Sequence, residues 1–342
     1  MAILISIFAM LISSNGWAGE PVPLFRTNDA LEVTISAPWR TIQRDRRNQD
    51  PYPALLRYVA DSGEMTEIPL TVERRGRSRQ QLCDFPPIRL RFKRSDVKGT
   101  LFEGNRSIKM VTHCKPGKRY EQYYVLEMLA YHIYNLVTDL SFRAKPLSIT
   151  YHDDQRNRDD GPRFAFLIEH DRLVARRHGM ERFEPVEIRP RQLEAVESSR
   201  FALFQYLIGN VDWSSLGGAP GGNCCHNAKL IGPESGEPLY ALPYDFDSAG
   251  LVDAEYAAPD ESLPIMWVTD RLYRGFCVHN DTLEAARAEM LALEDEILAI
   301  VENESRLQAR TRKRVTQYLE EFFEIIQDPR KFEREITSAC RK

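Results

Sequence analysis

Apolar and polar positions alternate through the first third of the chain. Leu31, Val33 and Ile35 are separated by polar residues, a period of two that predicts a half-buried strand, and Pro38-Trp39 ends the run. Residues 55–59 and 68–72 predict two more strands, with Asp61-Ser62-Gly63 as the turn between them. Residues 74–81 are polar and read as a loop. Ile88, Leu90 and Phe92 alternate again, and residues 107–113 predict a strand that carries Lys109.

The period then changes. Val125, Leu129, Ile133 and Leu136 recur at helical spacing within residues 120–137. Residues 147–151 and 164–168 predict two strands joined by a charged loop over 152–163. A second helix is predicted over 192–208, running directly into Gly209-Asn210. Residues 239–242 predict a short strand that ends at Pro243-Tyr244-Asp245-Phe246-Asp247. The last third is helical. Leu283, Ala286, Met290, Leu293, Ile297 and Ile300 predict one helix capped by Asn280 or Asp281. Val315, Leu319, Phe322 and Ile326 predict another, which stops before Pro329. Strands first and helices later imply an α+β fold in two lobes, a β-rich N-terminal part and a mainly helical C-terminal lobe.

Composition adds limits. The chain has 342 residues, 43% hydrophobic and 28% charged, which fits a soluble globular protein of one large or two smaller domains. A net charge of -4 gives no reason to expect nucleic acid or an anionic membrane as partner. Arg44-Asp45-Arg46-Arg47 is short, interrupted by an acid, and reads as solvated surface. An apolar run over residues 3–12 is followed by small residues up to Ala18. At about ten residues it has half the ~20 that a membrane-spanning helix needs. It reads as a signal peptide over 1–18, so export to the periplasm or beyond is expected, with no integral membrane span. All six cysteines follow it, and an even number in an exported chain predicts disulfides. Cys83 and Cys114 flank paired strands and are the expected bridge; Cys277 and Cys340 are further candidates. Cys224, Cys225 and His226 are consecutive, a poor arrangement for one tetrahedral zinc.

The chemistry concentrates in Gly209-Asn210-Val211-Asp212-Trp213, in His226-Asn227 and in the Asp245–Asp247 block. A kinase-type site needs an Asp to orient the attacking hydroxyl, and a downstream Asn and a second Asp to hold metal. Lys109 on a strand, followed by a helix with Glu127, fits a phosphate-binding Lys and its positioning Glu. Phe164 to His170, with Glu169, fits the strand that enters a nucleotide-holding connection. Over residues 88–255 this ordered set resembles the CotH family of spore-coat and secreted kinases and, more distantly, HipA-type kinases. The carrying motifs are Ile108-Lys109-Met110, the helix with Glu127, Phe166-Leu167-Ile168-Glu169, His226-Asn227 and Pro243-Tyr244-Asp245-Phe246-Asp247.

The resemblance implies a two-lobed kinase-like fold that uses ATP or another nucleotide with Mg²⁺ or Mn²⁺. The phosphoacceptor would be a hydroxyl of a protein or small molecule. It makes Asp212 catalytic, Asn227, Asp245 and Asp247 metal-holding, and Lys109, Glu127 and Glu169 nucleotide-binding. It divides the chain into a β-rich region 19–86, a kinase-like N-lobe 87–170 and a helical C-lobe 171–342. An insertion, residues 214–225, separates Asp212 from Asn227, where kinase catalytic loops have about four residues. No Gly-rich loop precedes Lys109. Two other readings stay open: a catalytically inactive kinase-fold binding or structural protein of the cell envelope, and a metal-dependent Asp-x-Asp glycosyltransferase. The second lacks the βαβ alternation expected ahead of such a motif. Ala249 and Tyr256 stand where Ca²⁺ ligands belong, which argues against an EF-hand.

Overall fold

The computed structural model describes residues 19–45, 50–76, 83–219 and 221–342. The signal peptide expected over 1–18, Arg46-Arg47 and most of the loop expected over 74–81 lie outside the described residues. Seven strands come first: β1 (Leu31–Ala37), β2 (Tyr52–Val59), β3 (Met65–Arg74), β4 (Ile88–Phe92), β5 (Ser107–Val111), β6 (Ala144–Asp153) and β7 (Arg158–Ile168). Their spatial order is β1-β2-β3-β4-β5-β7-β6, and β6 returns to β1 to close a barrel. That last pairing is parallel, from Leu31 opposite Leu147 to Ala37 opposite Asp153, whereas the other neighbours are antiparallel.

The expected fold class is therefore corrected. The chain does not form the two-lobed kinase-like α+β fold; its strands make a closed seven-stranded barrel. Strand positions follow from local alternation, but which edges meet does not. The barrel draws β1–β3 and β4–β7 into one closed surface, with strands from both sides of residue 87.

Alternate residues of each strand fill the barrel. Val33, Ile35, Leu70, Val72, Leu90, Ile108, Met110 and Leu167 belong to one buried cluster. Trp39, from the short helix α1 (Trp39–Arg44), plugs it beside Phe85 and Tyr151. The opposite faces of β5 and β7 present Val111, Phe164, Phe166 and Ile168 to a second core. After α2 (Arg94–Val97), the helix α3 (Lys118–Val137) lies in that second core. Its residues from Tyr123 to Tyr131 are all buried, as expected of a helix packed on every side.

The remainder is α4 (Asp171–Arg177), β8 (Glu181–Phe183), α5 (Ala195–Leu207), β9 (Ala228–Gly232), β10 (Tyr240–Pro243), α6 (Asn280–Ala292), α7 (Glu294–Glu302), α8 (Ala309–Gln327) and α9 (Pro329–Phe332). β10, β9 and β8 form a small antiparallel sheet. Two local expectations change. The helix expected through 283–300 breaks at Leu293 into α6 and α7. The charged loop expected over 152–163 is largely strand, because its charges pair: His152 meets Asp159 across the hairpin at 2.7 Å, and Arg163 meets Asp160 at 2.7 Å. Disulfides join Cys83 to Cys114, Cys224 to Cys225 and Cys277 to Cys340.

A buried ion pair joins the end of the barrel to the helical half. Arg177 Nη1 donates to both oxygens of Glu169, at 3.0 and 3.1 Å, and Nη2 donates to the carbonyls of Asp139 and Ser141. The Arg143 amide donates to Glu169 as well. Burial pushes the Glu169 carboxyl up and the Arg177 guanidinium down, and their mutual attraction opposes both shifts. Breaking such a pair leaves one buried charge uncompensated, at a cost of about 3–5 kcal/mol. Arg177→Met is expected to lower stability by about that much in urea unfolding, and adding Glu169→Leu should recover most of it. A single variant as stable as the parent would mean that the pair is not held out of water.

Candidate functional site

Helix α5 delivers the first block. Its chain leaves the helix through Gly209, at φ +61°. A Cβ there would sit 1.9 Å from Tyr318 Oη, so both the backbone and the space require glycine. Asn210 Oδ1 accepts from the Asp212 amide at 3.0 Å, and Trp213 Nε1 donates to the Asn210 carbonyl at 2.9 Å. Main-chain bonds from Gly250 to Gly209 and from Leu251 to Ile208 fasten this turn to the loop that follows Asp247.

Asp212 is held at both oxygens. Its Oδ1 lies 2.6 Å from His226 Nε2, and Asn227 Nδ2 donates to its Oδ2 at 3.0 Å and to its main-chain carbonyl at 2.8 Å. The hydrogen bond to Asp212 raises the His226 pKa above its ordinary value. The insertion over 214–225 therefore does not part Asp212 from Asn227. Ser214 and His226 exchange main-chain hydrogen bonds, which close the insertion at its base.

Asn227 immediately precedes β9, and Asp245 follows β10 by one residue. The two strands pair through Ala228 and Pro243, and the Tyr244 amide donates to the Asn227 carbonyl. Four described non-glycine residues have a positive φ, and Asn227 (46°) and Asp245 (65°) are two of them. Asn and Asp tolerate that conformation best among non-glycine residues. The Asp245 amide donates to Tyr131 Oη at 2.9 Å. Glu127, one turn before Tyr131 on α3, is 1% exposed and acts electrostatically on that phenol.

Lys109 reaches the same place from the barrel. Ile108 and Met110 point inwards on β5, so Lys109 emerges on the outer face. Its Nζ stands 4.2 Å from the Tyr244 ring centroid, with Lys229 at 5.5 Å from the same ring. Burial lowers its pKa to about 8; Arg75 and Lys229 add to the shift, while Asp245 and Asp171 oppose it.

Six of the seven residues singled out in the sequence thus fall into one neighbourhood. Asp212, Asn227, Asp245 and Asp247 lie on adjoining loops, Asp245 acts electrostatically on Lys109, and Glu127 lies one turn from the Tyr131 that accepts from the Asp245 amide. Glu169 is instead engaged by Arg177. The sequence singles out His226-Asn227 but gives His226 no role of its own, and two contributors, Tyr131 and Arg274, escape it. Tyr131 lies one helical turn from Glu127, the signal that could have found it. Arg274 has no local signal. It donates to the Val211 carbonyl and stacks at 5.2 Å over Trp213. Together with Asp212, His226 and Asp260 it lines a cleft of about 220 Å³.

Among the described residues no group of three or more His, Cys, Asp or Glu side chains converges as a metal site. Asp245, Asp247 and Asn227 carry hard oxygen donors on adjoining loops, a set of donor types and not a converged site. Asn227 Oδ1 accepts no hydrogen bond among the described residues, while its Nδ2 is spent on Asp212. Such a set fits Mg²⁺ or Mn²⁺, which take few protein oxygens and complete their shell with phosphate and water. No protein-family model matches the chain, and no curated protein is significantly similar to it.

The Lys109 shift has a testable consequence for stability. Between about 8 and 10.5 the unfolded chain holds the Lys109 proton more tightly than the folded one. Stability from this group therefore rises with pH across that window. Lys109→Met lacks the effect, so its melting temperature relative to the parent should be highest below pH 8 and fall as pH approaches 10.5. A difference constant across the window would mean that Lys109 is not desolvated.

Proposed function

We propose that the chain is a metal-dependent phosphotransferase that moves phosphate from ATP, or another nucleotide, to a hydroxyl of a protein or small molecule. The observation that carries this reading is the Asp212 carboxylate, fixed by His226 and Asn227 at the mouth of a cleft and beside the Asp245 loop. Phosphoryl transfer has little covalent chemistry for a protein to perform, so positioning and charge stabilisation supply the rate. Asp212 orients the acceptor hydroxyl and takes its proton. Asp245, Asp247 and Asn227 would hold a metal ion, which would supply charge to neutralise phosphate. Lys109 supplies a further positive charge, and a phosphate beside it restores its affinity for a proton. Tyr131 positions the Asp245 backbone. Arg274, across the cleft, is placed to meet charge on the acceptor. Three disulfides are compatible with the export that the N-terminal segment implies.

Two substitutions separate binding from chemistry. Asp212→Ala should lower phosphate transfer from γ-labelled ATP by about 10²–10⁴-fold, the range for losing a positioned acid–base group. Nucleotide affinity should stay within a few-fold, because the residue 212 carbonyl still holds Asn227. Asp245→Asn should abolish the metal-dependent part of the thermal shift given by ATP, while Asp253→Asn, on the loop beyond, should retain it. A protein that shows no nucleotide-dependent shift with either metal is a binding or structural protein. A response to nucleotide sugars instead of ATP would move the reading to glycosyl transfer.

A further inference from the structure

Around the barrel from Lys109 lies a second concavity of about 1480 Å³. It exceeds the ~300–1,000 Å³ of ordinary small-molecule pockets. Its walls come from the outer face of β4, α2 and the turns on either side of it, the start of β5, and α4. Nine arginines and lysines line it and one carboxylate, Glu103.

Some of these cations are neutralised. Arg91 pairs with Glu73, and Arg182 with Asp171 and Glu184. Arg89, Arg94, Lys98, Arg106, Arg172 and Arg176 are different: no ion pair or side-chain hydrogen bond engages any of them among the described residues. Six like charges facing one concavity repel one another, and among the described residues no acid forms an ion pair with any of them. In a protein of net charge -4 this is a local excess, not a general one.

The source of the charges narrows the ligand. Arg89 projects from a strand, Arg94 and Lys98 bound α2, Arg106 precedes β5, and Arg172 and Arg176 stand one turn apart on α4. They surround a hollow and do not run along a stripe. A stripe suits a linear polyanion, whereas a surrounding set suits a compact one with charge on several sides. Five of the six are arginines, whose planar fork matches phosphate oxygens in pairs. We propose that this cavity binds a compact small molecule bearing several phosphate groups, at a site separate from the Asp212–Asp245 loops. The proposal does not rest on the phosphotransferase reading.

The test uses the purified chain and myo-inositol hexakisphosphate as the compact polyphosphate. Calorimetry and thermal shift should both report binding, weakening steeply as salt rises. Arg94→Gln/Arg172→Gln/Arg176→Gln should weaken it on the order of a hundredfold, since each arginine makes charge-assisted hydrogen bonds. The same variant without ligand should be no less stable than the parent, because repulsion is removed. Should it fail to fold, Lys98→Gln/Arg106→Gln carries the same expectation at about tenfold. Asp245→Asn should leave binding unchanged, which keeps a failure of the nucleotide site distinct from a failure here. Absence of binding, equal binding by the substituted protein, or tighter binding of a heparin oligosaccharide than of the hexakisphosphate would each overturn the proposal.

Discussion

The parallel pairing of β1 with β6 is the constraint on which the rest depends. It closes the strands into a barrel and leaves no free edge between them. Closure commits the central inward positions to apolar packing, while Arg74, Lys145 and Asp153 take the same parity only at strand ends. Charged residues in the middle of β4 and β5 then have one place to go. Lys109, Arg89 and Arg91 all lie on the outer face of β4 and β5, with Arg89 directly opposite Lys109 in the ladder. From there Lys109 meets Tyr244, and the arginines meet α4 and its flanking turns. Both candidate sites are consequences of one alternation on two short strands.

On the helical side the organising residue is Asn227. Its amide binds Asp212 twice, its carbonyl accepts from Tyr244, and the next residue begins β9. One left-handed residue thereby joins the loop after α5 to the loop after β10. The Asp245 amide is fixed in turn by a phenol of α3. Carboxylates anchored through their own main chain need little rearrangement when a cation or phosphate arrives, and pre-organisation of that kind is where electrostatic catalysis gains most. In the proposed phosphotransferase the desolvated Lys109 would serve the same end, since a charge held out of water interacts more strongly with what is brought beside it.

Charge is distributed in a way that totals conceal. An overall excess of acid coexists with a cavity in which cations greatly outnumber carboxylates. The cations come from segments far apart in the chain, on β4, α2 and α4, so no basic run exists to be noticed. Nearby acids have other partners: Glu103 accepts from the Gly99 amide, Asp96 accepts from the Ser95 hydroxyl, and Asp171 pairs with His170 and Arg182.

The sequence by itself determined the local elements and the residues able to do chemistry. Alternation marked the barrel strands because each has one face in a core, and helical spacing marked α3 and α5 for the same reason. The Cys83–Cys114 pair was legible because both residues flank strands that had to be neighbours. Asp212, Asn227 and Asp245 stood out because carboxylates and amides beside turn glycines and strand ends are poor packing residues. Barrel closure was not legible, since edges pair through main-chain groups that are identical at every residue. Nor was the engagement of Glu169 by Arg177, which depends on where the end of β7 meets α4. The partners of Asp212 and the convergence of six cations unpaired among the described residues required long-range proximity between segments. Only the tertiary structure decides that, because it is set by the packing of whole elements and not by the residues that meet.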